Sequence, residues 1–122
     1  MPRSSRIVQV TPRVEHTVPV CKIQGEIDAS NVDLVFERAL ACASPEAPGL
    51  VLDLTSTSYL DSAGIRILFE LARRLRSHRQ ELRVAAADPS TVRRVLVLTA
   101  LADVVALHPD VLDAVAAFAP VE

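Results

Sequence analysis

Tryptophan is absent from this chain, and aromatic side chains make up only 3% of it, as one Tyr and three Phe. Any core therefore has to be assembled from Val, Leu, Ile and Ala, a composition that favours helices packed on a short sheet. Glycine is almost as scarce, with three residues. None belongs to a Gly-Lys-Ser/Thr phosphate loop, and no serine sits in a Gly-x-Ser-x-Gly elbow, which argues against a P-loop enzyme and a hydrolase nucleophile. The two cysteines, Cys21 and Cys42, and the three histidines, His16, His78 and His108, are scattered along the chain. No metal-ligand spacing arises, and no metal or cofactor is expected. Both cysteines read as reduced apolar filler rather than as a bridge.

A marked excess of either charge is missing as well. Thirteen Lys and Arg face fifteen Asp and Glu, for a formal net charge of −2, so nothing in the charge balance points to nucleic acid. The arginines at 73–79 lack interleaved aromatics and read as a solvated helix face. No apolar run is long enough to cross a bilayer, and the start Met1-Pro2-Arg3-Ser4-Ser5-Arg6 lacks the apolar segment of a signal peptide. A cytoplasmic protein without membrane insertion is expected.

What is present is a chain of 122 residues of which half are apolar. That suits one domain, 1–122, with residues 1–5 as a loose, flexible arm. Ile7-Val8-Gln9-Val10 predicts a first strand interrupted by Pro12. Thr17 to Gln24 alternates at period two and leads into Gly25-Glu26-Ile27-Asp28; Pro19 places that end at an edge or in irregular pairing. Asn31–Cys42 has helical spacing, with Asp28 or Ser30 as cap. Ser44–Gly49 breaks the chain, and Leu50–Leu54 reads as a central strand. A short polar loop then leads to a helix from Asp61 to about His78, with Ile65, Leu68, Phe69, Ala72 and Leu75 as its apolar stripe and Glu70–Arg74 as a helical ion pair.

Further on, Leu82–Ala87 predicts a strand. Asp88-Pro89 predicts a cap and a first helical residue for a helix bearing Val92, Val95, Leu96 and Leu98, with Arg93 and Arg94 outward. Val104–Leu107 predicts a last strand, and Val111–Phe118 a last helix. The fold class is α/β: a mixed sheet of about four to five strands packed with about four helices.

The most informative stretch is Leu60-Asp61-Ser62-Ala63-Gly64-Ile65 after the buried strand. A hydroxyl at a helix start can cap unpaired N–H groups, and it can be presented to a partner; the two roles are compatible. A phosphoryl group there would add about −1.5 to −2 charges and three acceptors. Asp28, Asp53 and Asp61 could instead meet at one end of the sheet for acid–base work or Mg²⁺ binding. The plainer alternative is a cap, a strand end and a turn, because no histidine or lysine falls near them.

Leu60 to Ile65, together with the strand before it, resembles the STAS family, named for sulphate transporters and anti-sigma factor antagonists. Gly25-Glu26-Ile27-Asp28 matches a second family motif. Pro89 to Leu96, followed by Leu101, looks like the family's third helix. The resemblance runs from about residue 7 to 118. It implies a non-enzymatic anti-sigma factor antagonist that binds an anti-sigma factor serine kinase, frees the sigma factor and is switched off by phosphorylation. A metal-dependent serine phosphatase would reverse the modification. It implies Ser62 as phosphoacceptor, and Asp28, Asp61, Ser62, Ala63, Gly64 and Arg66 as the partner-binding surface. A penalty of about 3 kcal/mol from the phosphate would weaken such binding more than a hundredfold.

Two positions depart from the family pattern. Arg66 stands where many members have a second glycine. Thr99-Ala100-Leu101 replaces a glycine after the third helix, so that helix is expected to end without a left-handed cap. The alternative implied by the same resemblance is an adaptor subunit of a lipid-transport ATPase, with no phospho-switch.

Overall fold

A computed structural model of the chain describes residues 7–118; the arm expected at residues 1–5 lies outside them. The sheet is built on one long strand. Strand β1 (Gln9–Glu15) pairs antiparallel with β2 (Val18–Ile27) through a hairpin whose two turn residues, His16 and Thr17, both have positive φ. That is the conformation that matches the right-handed twist of a two-residue hairpin. β1 runs straight through Pro12, contrary to the expected interruption. It is an edge strand, so one side of it makes no ladder and a missing N–H is tolerated. Pro19 keeps only β1 beside it, because the parallel pairing of β2 with β3 (Gly49–Asp53) begins at Val20.

β3 continues through β5 (Glu81–Ala85) to β6 (Ala106–His108), all parallel. Where β3 ends, β4 (Thr57–Leu60) takes up β2 at Gly25–Ile27, also in parallel. β4 raises the sheet to six strands and occupies what reads in sequence as a polar loop. Only Thr57 and Leu60 of it are buried, and the Thr57 hydroxyl donates to the Ile23 carbonyl at 2.8 Å. Ser58 and Tyr59 face solvent and hide the strand character. A shift in register between Gly25 and Glu26 accompanies the change of partner. Gly25 sits there at φ +110°, with the Ile7 carbonyl 2.8 Å from where a Cβ would stand, so the glycine of this motif is required by both backbone and space.

Helices α1 (Val32–Cys42), α2 (Ser62–Arg76) and α3 (Thr91–Leu98) cover one face of the sheet, against Cys21, Ile23, Leu50, Leu52 and Val84. α4 (Val111–Ala116) covers the other, against Val18, Val20 and Val51. Alternation along β2 and β3 supplies both layers, as period two requires. Cys21 and Cys42 are both free thiols. A hydrogen bond with Cys42, followed by burial, pushes the Cys21 thiol up from its ordinary range.

The helices correct several expectations. The cap residue of α1 is Asn31, not Asp28 or Ser30, and the Asn31 side chain makes no capping hydrogen bond. Asn31 turns back instead, donating to the Glu26 carbonyl at 2.9 Å and accepting from the Asp28 N–H at 3.1 Å. α3 begins at Thr91, not Pro89, and its cap is Ser90, which accepts from the Arg93 N–H at 3.0 Å. Arg93 folds back to the Ala86 carbonyl at 3.0 Å rather than pointing outward, and Leu98 is 76% exposed rather than packed. Glu70 pairs with Arg73, while Arg74 lies over the Phe36 ring at 5.7 Å. A 3-10 turn, Leu101–Asp103, precedes β6, which starts at Ala106 instead of Val104.

The left-handed residue expected to be avoided after α3 is present. Ala100 adopts φ +67°. A Cβ in that region costs about 1 kcal/mol relative to glycine. Ala100→Gly is therefore expected to raise stability by about 1 kcal/mol, read as a higher urea midpoint at unchanged m-value; an unchanged or lower midpoint would show that the left-handed turn carries no strain.

Candidate functional site

The parallel pairing of β4 with β2 places Ile27 opposite Leu60. The next residue on each strand is an aspartate, so Asp28 and Asp61 leave the sheet side by side. The Asp61 N–H still reaches the Ile27 carbonyl at 3.3 Å. The Asp61 carboxylate then turns onto α2 and accepts from the Gly64 N–H at 3.0 Å. Asp61 is thus the cap of α2, and Ser62 is its first helical residue. The capping role open to Ser62 in the sequence belongs to its neighbour. Among the described residues the Ser62 hydroxyl has no hydrogen-bond partner, and the residue is exposed.

Gly64 is buried beneath this turn. A Cβ there would collide with Leu60 Cδ1 and stand 3.2 Å from Ile27 Cγ2. The contact sets the rotation of the whole helix. Counting three, four, seven, eight and eleven residues on from Gly64 gives Ile67, Leu68, Leu71, Ala72 and Leu75, all buried. The expected stripe through Ile65 and Phe69 is displaced for that reason. Those two are half-buried and flank a cleft of about 570 Å³ that runs from Ser62 along α2 to Val104, with Arg66, Arg73 and Arg76 at its sides. Sequence periodicity alone misses this cleft; the signal that could have found it is a glycine that must face the sheet.

Around Asp28 the loop is closed by its own side chains. The Asp28 carboxylate accepts from the Ser30 N–H at 2.9 Å and from the Ser30 hydroxyl. Asp28, Asp61 and Ala63 are half-buried, and Ser62 and Arg66 are exposed. These positions form one surface at the ends of β2 and β4, with Gly64 supporting it from beneath.

Asp53 does not join them. It lies opposite Lys22, six residues before Asp28 on β2, or on the order of 20 Å of extended chain. It is 4% exposed, accepts from the Thr55 N–H and hydroxyl at 3.0 and 2.6 Å, and faces Arg13 at 3.8 Å. The three carboxylates are therefore not one centre. Among the described residues no three His, Cys, Asp or Glu side chains gather where they could hold a metal ion, and no helix is long and apolar enough to cross a membrane.

The sequence pattern of the STAS domain family matches residues 6–114. A crystal structure of an anti-sigma factor antagonist from Mycobacterium paratuberculosis is similar, with TM-score 0.81 and 28% identity over 92% of this chain and 94% of that one. SpoIIAA, an anti-sigma factor antagonist and Bacillus cell fate determinant, has the same fold at lower identity. Its unphosphorylated form has TM-score 0.63 and 18% identity, covering 83% of this chain and 87% of that one. Its phosphorylated form has TM-score 0.53 and 19% identity, covering 83% and 90%. Osmosensory protein A of Mycobacterium tuberculosis is 37% identical over 60 residues; the match spans 49% of this chain and 37% of that protein's length.

The assignment of the cap is open to a direct check by urea unfolding. Asp61→Ala is expected to cost about 1 kcal/mol through the lost cap, and Gly64→Ala about 1–3 kcal/mol through overpacking against Leu60. Ser62→Ala is expected to stay within about 0.5 kcal/mol of the parent. A Ser62→Ala loss equal to that of Asp61→Ala would mean that the hydroxyl, not the carboxylate, holds the helix start.

Proposed function

We propose that this chain, which belongs to the STAS domain family, is an anti-sigma factor antagonist switched by phosphorylation of Ser62. In this reading the surface formed by Asp28, Asp61, Ser62, Ala63 and Arg66 docks on an anti-sigma factor that is itself a serine kinase, and the docking frees the sigma factor. The observation that carries the reading is the exposed Ser62 hydroxyl on the first turn of α2, with no partner among the described residues while Asp61 does the capping. Modification can then occur without dismantling the helix.

The transfer balances simply. The Ser62 oxygen bonds to the γ-phosphorus of ATP as the bond to the ADP oxygen breaks, and the hydroxyl proton leaves to a base on the kinase. The product places a dianion beside Asp61 and Asp28. Any tight interface would have to desolvate it next to like charges. The positive end of the α2 dipole offsets part of that cost in the free protein, so the phosphoprotein stays folded and loses only its docking surface. A metal-dependent serine phosphatase would restore it. The fold of SpoIIAA is known with and without phosphate, which supports a fold that carries both states. The chain acts as one domain, in the cytoplasm, by binding rather than by catalysis.

Intact mass after incubation with ATP and the anti-sigma factor serine kinases of the same cell tests the proposal. The parent chain is expected to gain one phosphate and Ser62→Ala none. Absence of any gain, or a gain that persists in Ser62→Ala, would overturn Ser62 as the acceptor; capture of a transport ATPase subunit in place of a kinase would favour the adaptor role.

A further inference from the structure

Arg66 stands one helical turn after Ser62, and the two side chains flank the same end of the cleft along α2. Residues four apart on a helix have Cβ atoms about 5–6 Å apart and lie on one face. Both groups are exposed, and among the described residues neither the Ser62 hydroxyl nor the Arg66 guanidinium has a hydrogen-bond or ion-pair partner. The charges nearby are already committed. Glu70, one turn beyond Arg66, pairs with Arg73. Asp61 is held on the Gly64 N–H, and Asp28 on Ser30. Arg76, at the far end of the cleft, donates to the Val104 carbonyl at 3.4 Å. Among the described residues lining this cleft, Arg66 is the arginine left with neither a carboxylate nor a carbonyl partner.

We propose that Arg66 is the intramolecular counter-ion of phosphorylated Ser62. The guanidinium presents a planar fork of donors that suits a phosphate in a bidentate pair. Such a pair draws the phosphate back along α2 over the mouth of the cleft, rather than outward from the helix start. It covers the apolar wall formed by Ile65 and Phe69 and uses up the cation that an acidic partner group would meet there. Phosphorylation then removes a docking feature as well as adding repulsion, and the residue that stands in place of a second glycine becomes part of the switch. Arg66 acts through the phosphate and is a positioning residue. This inference rests on Ser62 being the modified residue, and its test needs no kinase.

Phosphoserine is placed at position 62 of the full chain by genetic encoding, and the phosphate is titrated by ³¹P NMR with Arg66, Arg66→Lys and Arg66→Gln. A phosphate monoester loses its second proton near pH 6. A neighbouring guanidinium favours the dianion, so the midpoint with Arg66 is expected about 0.5 pH lower than with Arg66→Gln, with Arg66→Lys between them. The difference is expected to shrink in 1 M salt. Superimposable titrations for the three proteins would overturn the pair. A shift in this experiment with no phosphate gain from any kinase would uphold the pairing chemistry and sink the phospho-switch instead.

Discussion

The close approach of the first turn of α2 to the ends of β2 and β4 is the contact on which the rest of this molecule depends. Leu60 and Ile27 fill the space where a Cβ on Gly64 would be, and the Asp61 carboxylate locks the same turn through the Gly64 N–H. Two consequences follow from one small residue. The helix is rotated so that Ile67, Leu68, Leu71, Ala72 and Leu75 enter the core, where their burial stabilises the fold. The preceding serine is left facing outward, with its hydroxyl released from capping duty.

On the proposed reading, that division of labour is what lets the fold carry a modifiable site. A serine that caps a helix satisfies a backbone donor, and modifying it disturbs the helix start. Here the cap is the Asp61 carboxylate, and phosphate on Ser62 would add to the surface without withdrawing that support from the backbone. The arrangement also concentrates charge. Two strand-end carboxylates and an exposed arginine share the surface that carries the hydroxyl, so a phosphate there would change the local field with little change in structure.

Much of this could be read from the residues. The alternation from Val18 into the Gly-Glu-Ile-Asp motif, the apolar run Leu50–Leu52, and the Asp-Ser-Ala-Gly start of α2 each display their local physics directly. So do the number of helices and the mixed character of the sheet. What stayed hidden depends on contacts distant in sequence. β4 is half exposed, and its Ser58 and Tyr59 resemble loop residues until β2 is alongside. The stripe of α2 looks centred on Ile65 until Gly64 is seen to need the sheet. Ala100 accepts a left-handed turn because Leu101, fully buried, anchors the chain just beyond it. The exchange of roles between Asp61 and Ser62 turns on which oxygen meets one N–H, and adjacent capping residues do not disclose that. The two strand-end aspartates were legible as candidates, but Asp53 was equally so. Only the register, Lys22 against Asp53 and Ile27 against Leu60, separates them.

The central claim is that phosphate on Ser62 abolishes docking while leaving the fold intact. Calorimetric titration of the anti-sigma factor kinase with the unmodified chain and with the chain bearing encoded phosphoserine at 62 tests it most directly, with circular dichroism of both forms as the control. The account predicts a loss of affinity of more than about a hundredfold, the equivalent of about 3 kcal/mol, with superimposable spectra. Equal affinity of the two forms for the kinase would contradict it.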